Sequence, residues 1–235
     1  MYGIILIKIQ IESSYTANFL RDLSLSSAEE HYDLLFPKYR HLISGIGLDS
    51  NEFDNPPSKF QSLFNHARKV GLKLTCHCDV TQPETLPNIT YALHKLGDVL
   101  QGEDDRKGGT GADRIDHGLD AASSPTLVED IANAGTLMTL CPWAYVRHHS
   151  ESNLFTYLQD LKDTGVKINI SSDSPAYVEG NYLMENLRLL EAVGGWKEQD
   201  FVKMVRDSIE GCWATEAVKE SLRRELDSFW QKWVK

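Results

Sequence analysis

The chain has no apolar run long enough to cross a bilayer. The longest stretch, Ile4 to Ile11, is broken by Lys8 and Gln10, and a membrane helix needs roughly 18 or more apolar residues. No basic segment precedes an apolar stretch and a small-residue cleavage site, so a secretory signal is not expected. A basic patch is missing too: Lys and Arg are scattered and the formal net charge is −10, which argues against nucleic-acid or anionic-membrane partners. Cysteine is scarce. Its four positions, Cys76, Cys78, Cys141 and Cys212, form no C-x-x-C pair, so a disulfide framework and a structural zinc knuckle are both disfavoured. Cys76 and Cys78 read as small buried apolar side chains on one face of a strand. A cytoplasmic location is the expectation.

With 41% hydrophobic and 25% charged residues the composition suits a packed core. No internal repeat, linker-like tract or composition shift divides residues 1–235, so one domain is expected. Apolar runs of strand length recur at Ile4–Ile11, Leu42–Leu48, Leu72–Cys78, Arg114–Gly118, Thr136–Cys141 and Val166–Ser171. Helical periodicity separates several of them. Asn55-Pro56 opens one helix, with Phe60, Leu63, Phe64 and Ala67 on a common face. Ser124-Pro125 opens another, Leu154 to Leu161 carries a third, and Val218 to Trp233 a last one. Such alternation predicts an α/β fold with a parallel sheet. The charged, Gly-rich stretch Gln101–Ala112 follows no strand and opens no helix, so it reads as a surface loop rather than a phosphate cradle.

In parallel α/β folds chemistry collects at the carboxyl ends of strands. Asp49 and Glu52 follow the second predicted strand, His77 and Asp79 the third, Asp116 and His117 the fourth, Cys141 the fifth, and Asp173 and Ser174 the sixth. Imidazole nitrogen and carboxylate oxygen are ordinary zinc donors, so His77 and Asp173 are the expected metal ligands. Asp79, two residues from His77, shares its face if the strand continues, as orienter, proton shuttle, ligand or turn cap. His117 is the expected general base. Asp116, its strand neighbour, is expected to point the other way, toward the helices.

Five segments together resemble the adenosine/adenine deaminase family of zinc-dependent (β/α)8 barrels: GIGLDSNE (45–52), LTCHCD (74–79), RIDHGLDA (114–121), TLCPWAY (139–145) and INISSDSPAYV (168–178). The wording of the first and third is similar to the adenine-deaminase branch. The resemblance implies a TIM-barrel type of fold, with about six of the eight strands here and C-terminal helices. It also implies one Zn2+ held in part by His77 and Asp173, and water attack at purine C6 with release of ammonia. His117 would orient and deprotonate that water. Asp49, Glu52 and Ser174 would face a small-molecule purine-like substrate.

Three features depart from the family pattern. No H-x-H pair occurs in the chain, so it is expected to start near the third barrel strand. Val80 stands where the family places a proton-donating glutamate, with Asp79 the nearest carboxylate, and Ser174 stands where the family has a second aspartate. These changes leave a second expectation beside the hydrolase: a non-catalytic relative that binds a purine-like ligand or a partner chain.

Overall fold

The computed structural model describes residues 15–98, 111–148, 153–177 and 182–233. Six strands form one sheet: β1 (Tyr15–Leu20), β2 (Ile43–Asp49), β3 (Lys73–Cys78), β4 (Arg114–His117), β5 (Leu137–Leu140) and β6 (Lys167–Ile170). All five pairings are parallel, and strand order in space equals order in sequence. Helices follow the strands: α1 (Leu25–Tyr39), α2 (Gln61–Lys69), α3 (Thr85–His94), α4 (Pro125–Ala134), α5 (Pro142–His148), α6 (Leu154–Asp163), α7 (Leu183–Ala192), α8 (Glu198–Gly211) and α9 (Glu216–Trp233). This is the singly wound βα order of a barrel. Among the described residues β1 and β6 do not pair, so the sheet remains open.

Five of the expected strands are present, within a few residues. The sixth expectation, Ile4–Ile11, lies outside the described residues. The strand β1 was not foreseen because Tyr15–Leu20 buries only Phe19, leaving no alternation strong enough to read. Helix α1 was hidden similarly by Pro37 near its end, although Ser24 caps it by accepting a bond from the Ser27 N–H.

The two faces of the sheet divide the labour. Ile46, Leu48, Leu74, Cys76, Cys78, Ile115, Met138, Leu140 and Ile168 are buried in the hydrophobic core, which they share with the helices. The residues between them, among them Gly47, Asp49, Thr75, His77, Arg114, Asp116, Thr139 and Asn169, occupy the opposite face by strand alternation. After α8 the chain turns in to close the floor of that face. Gly211 packs against Leu137, and the Trp213 ring lies on Gly45 with the Arg114 guanidinium 4.7 Å from its centre. A Cβ at Gly45 would lie 2.5 Å from Trp213 Cζ3 and 2.6 Å from the Lys73 carbonyl oxygen, and backbone cannot step aside. Gly45→Ala is therefore expected to destabilise the chain by about 1–3 kcal/mol, read as a lower urea midpoint at unchanged slope.

Candidate metal and proton-transfer site

His77 projects from the end of β3 beside Asp116 of β4, its register partner, while His117 pairs with the inward-packed Cys78. Regular alternation would send the His117 ring toward the helices. Instead His117 has φ 63° and Gly118 φ 72°, two successive left-handed residues. That turn rotates the imidazole over the strand end, 4.4 Å from the His77 ring centre and nearly perpendicular to it. A left-handed φ of 56° likewise sets the course of the chain at Asp173, whose Oδ2 lies 3.9 Å from His117 Nε2. Local strain of this kind gathers where side-chain placement matters.

A cavity of about 420 Å3 opens on this face, lined by Asp49, Arg114, Asp116, His117, Thr139, Cys141, Asn169 and Asp173 among others. Asp116 thus faces the cavity, not the helices as its alternation with His117 had implied. The left-handed turn at His117, not Asp116, breaks the pattern. Arg114 Nε donates to Asp116 at 2.8 Å and Thr75 Oγ1 donates to it at 2.5 Å.

Behind His77 stands a buried polar network. Glu52, 2% exposed, accepts from His77 Nδ1 at 2.7 Å and from the Asp79 N–H at 2.7 Å, with Asn88 at 3.3 Å. Arg21, fully buried, balances it at 3.3 Å and donates to the carbonyls of His77 and Asn55. Glu52 is therefore turned to the back of His77 and does not line the cavity. Asp79 uses both carboxylate oxygens on its own turn, accepting from Val80 N–H at 2.8 Å and Gln82 Nε2 at 3.3 Å. Asp49 sits at the cavity wall. Ser174 is exposed and outside the lining.

The electrostatics of the two histidines differ in sign. Burial works to lower the His77 pKa, but the hydrogen bond and charge of Glu52, aided by Asp79 and Asp49, outweigh it and raise the value. For His117 burial comes first and the adjacent His77 charge adds to it, lowering its pKa from 6.5 to about 4 against the pull of Asp173. Burial also raises the pKa of Asp49, with Asp116 adding to the effect against the His77 charge.

Of the residues singled out in the sequence, the His77 ring lies against His117, and His117 lies beside Asp173. Arg21 was not foreseen, and Cys141 was noted at its strand end without a role. Arg21 belongs to no motif and follows a strand that carries little signal. Cys141 carries a donor atom that lies within 4.8 Å of donor atoms on both His117 and Asp173. Nitrogen, sulfur and oxygen are all donor types that zinc accepts, but burial raises the pKa of the Cys141 thiol, which keeps it a neutral neighbour of Asp173 and His117.

The family described as adenosine deaminase matches residues 16–229. An uncharacterized deaminase of Schizosaccharomyces pombe is 34% identical over 218 residues, which cover 90% of this chain and 58% of that protein. The adenine deaminase of Paraburkholderia xenovorans is 32% identical over 216 residues, covering 90% and 57%. Among solved structures, the adenine deaminase of Arthrobacter aurescens superposes with a TM-score of 0.79 at 31% identity, covering 93% of this chain and 62% of that one. A zinc-bound amidohydrolase of Burkholderia ambifaria shares the fold at 21% identity and a TM-score of 0.78. The chain thus spans about three fifths of the length of these relatives. Its six-stranded parallel sheet, the motif order along its strand ends and the match over nearly its whole length place this chain in the adenosine deaminase family.

Proposed function

We propose that this chain is the metal- and base-bearing part of a zinc-dependent hydrolase that removes the amino group of an adenine- or adenosine-type heterocycle. The observation that carries this reading is the convergence of His77, His117 and Asp173 from three strand ends, with the Nδ1 of His77 engaged by a buried carboxylate. A metal-ligating histidine is characteristically backed in this way, which leaves Nε2 as the donor. His77 and Asp173 would hold the ion. When bound, zinc supplies a water acidified toward neutral pH. His117, neutral at pH 7 because burial and His77 depress its pKa, is free to take a proton at a ring nitrogen. Asp49 faces the substrate side and can accept from an amine hydrogen, and Ser174, exposed next to Asp173, would be a further contact for the substrate. Glu52 is reassigned to orienting His77. Asp79, whose carboxylate caps its turn, acts on the histidines through its charge.

The substitutions at Val80 and Ser174 favour one competing reading, a relative that binds a purine-like molecule without turning it over. Among the described residues no helix is long and apolar enough to cross a membrane, and the four cysteines are free thiols. Free thiols fit a reducing compartment, and the cytoplasm is the location this reading takes.

Elemental analysis of the purified chain, paired with ammonia release from adenine and adenosine, tests the proposal. Near-stoichiometric zinc that is lost in His77→Ala, together with ammonia, is the expected result. Zinc without ammonia would support the binding reading, and neither zinc nor ammonia would overturn the deaminase reading for this polypeptide.

A further inference from the structure

The two histidines of the site are held from behind by different groups. His77 leans on a carboxylate, whereas His117 Nδ1 lies 3.1 Å from the hydroxyl of Tyr145, a contact buried at both ends. Tyr145 is 1% exposed and reaches the ring from the first turn of α5, which begins directly after β5. Its N–H is bonded to the Cys141 carbonyl at 3.2 Å, so the helix start fixes where the phenol can point. The Tyr145 ring meets the imidazole at 64° with centres 5.5 Å apart, and the His77 ring closes another side. With Nδ1 occupied and the ring wedged, Nε2 is the nitrogen presented to Asp173.

We propose that Tyr145 is the positioning residue of His117: its hydroxyl occupies Nδ1 and turns Nε2 toward the reacting side of the cavity. This rests on His117 handling the proton in the reaction proposed above. The hydroxyl is a neutral partner that can donate or accept, so it steers the ring without adding a charge beside it. Glu52, an anion, does the opposite for His77. The two imidazoles, in ring contact, are thereby set to different tasks: one as a metal donor, the other as a proton carrier. Sequence gives one faint signal for this role, an aromatic hydroxyl four residues after Cys141 in CPWAY.

The test is Tyr145→Phe in the full chain, which keeps the ring and removes only the hydroxyl. The direct readout is the pair of His117 ring-nitrogen resonances in long-range proton–nitrogen correlation spectra. In the parent, His117 should show one hydrogen-bonded tautomer. In the variant its Nδ1 resonance should move while the His77 pair stays in place. If turnover is present, kcat should fall about 10- to 100-fold with KM and zinc content little changed. Should Tyr145→Phe not fold, replacing tyrosine by 3-fluorotyrosine keeps the side chain and changes the acidity of its hydroxyl, and His117 Nδ1 should again shift. Unchanged His117 nitrogens in either protein would overturn the proposal. That outcome does not depend on zinc binding or ammonia release, so it is distinct from failure of the deaminase reading.

Discussion

Glu52→Gln is expected to destabilise the chain by about 3–5 kcal/mol, because it leaves a buried guanidinium without its counter-charge. Arg21 is fully enclosed, and its Nη2 already lacks a hydrogen-bond partner. The amide would keep the volume of Glu52 and part of its hydrogen bonding, so a large loss would report charge and not packing. Urea denaturation of the two proteins measures it. Pairing Glu52→Leu with Arg21→Met removes both charges at once and should recover much of the loss, since a buried pair is worth far less than the cost of breaking one half of it. The same Glu52→Gln change should weaken zinc binding by about 10- to 100-fold in a competition titration, through loss of the anion that orients His77. A stability change under 1 kcal/mol would mean that the pair carries little charge interaction.

This network also marks the boundary of what the sequence discloses. Strands β2, β3 and β5 were legible from apolar runs that must be buried and β6 from its alternation. Strand β4 (RIDH, with Ile115 its one apolar residue) was legible from its place between helical segments and the glycine that ends it. His77, His117 and Asp173 were legible because they stand at these strand ends. Strand β1 carries one core side chain, and Arg21 beyond it is distinguished by nothing in its neighbours. Its role depends on meeting Glu52, 31 positions away, beyond the end of the neighbouring strand β2 in a sheet whose register is a tertiary property. The inward turn of His117 was illegible for another reason. Period-two alternation assigns faces only while the backbone stays extended, and two left-handed residues at His117 and Gly118 reverse the assignment. The glycine was visible in RIDHG, but a histidine at positive φ is an exception that pattern reasoning excludes. Glu52 shows the same limit: past the strand end, where the chain turns left-handed at Ser50, sequence spacing no longer says whether a carboxylate lines a cavity or backs a histidine.

The opposed electrostatics of the two histidines give a second large effect, in the pH dependence of the metal-free protein. His117 has its folded pKa lowered from 6.5 to about 4, by burial first and then by the His77 charge. Between those values the unfolded chain binds more protons than the folded one, so stability present above pH 6.5 is lost as pH falls toward 4. At about 1.4 kcal/mol per pH unit the interval amounts to about 3 kcal/mol. His77 acts with the other sign: its folded pKa is raised, so its contribution is complete below pH 6.5 and is lost as pH climbs through the folded value. Asp49, with a raised carboxyl pKa, adds stability on the acid side and partly offsets the His117 loss. Chelator-treated protein should therefore be most stable near neutrality, with an acid limb dominated by His117. His117→Asn isolates that limb, because asparagine tolerates the left-handed backbone and does not titrate. Urea midpoints taken from pH 7 to pH 4.5 should fall steeply in the parent and much less in His117→Asn. Parallel slopes in the two proteins would show that the acid sensitivity arises elsewhere and that His117 is not held neutral by its burial.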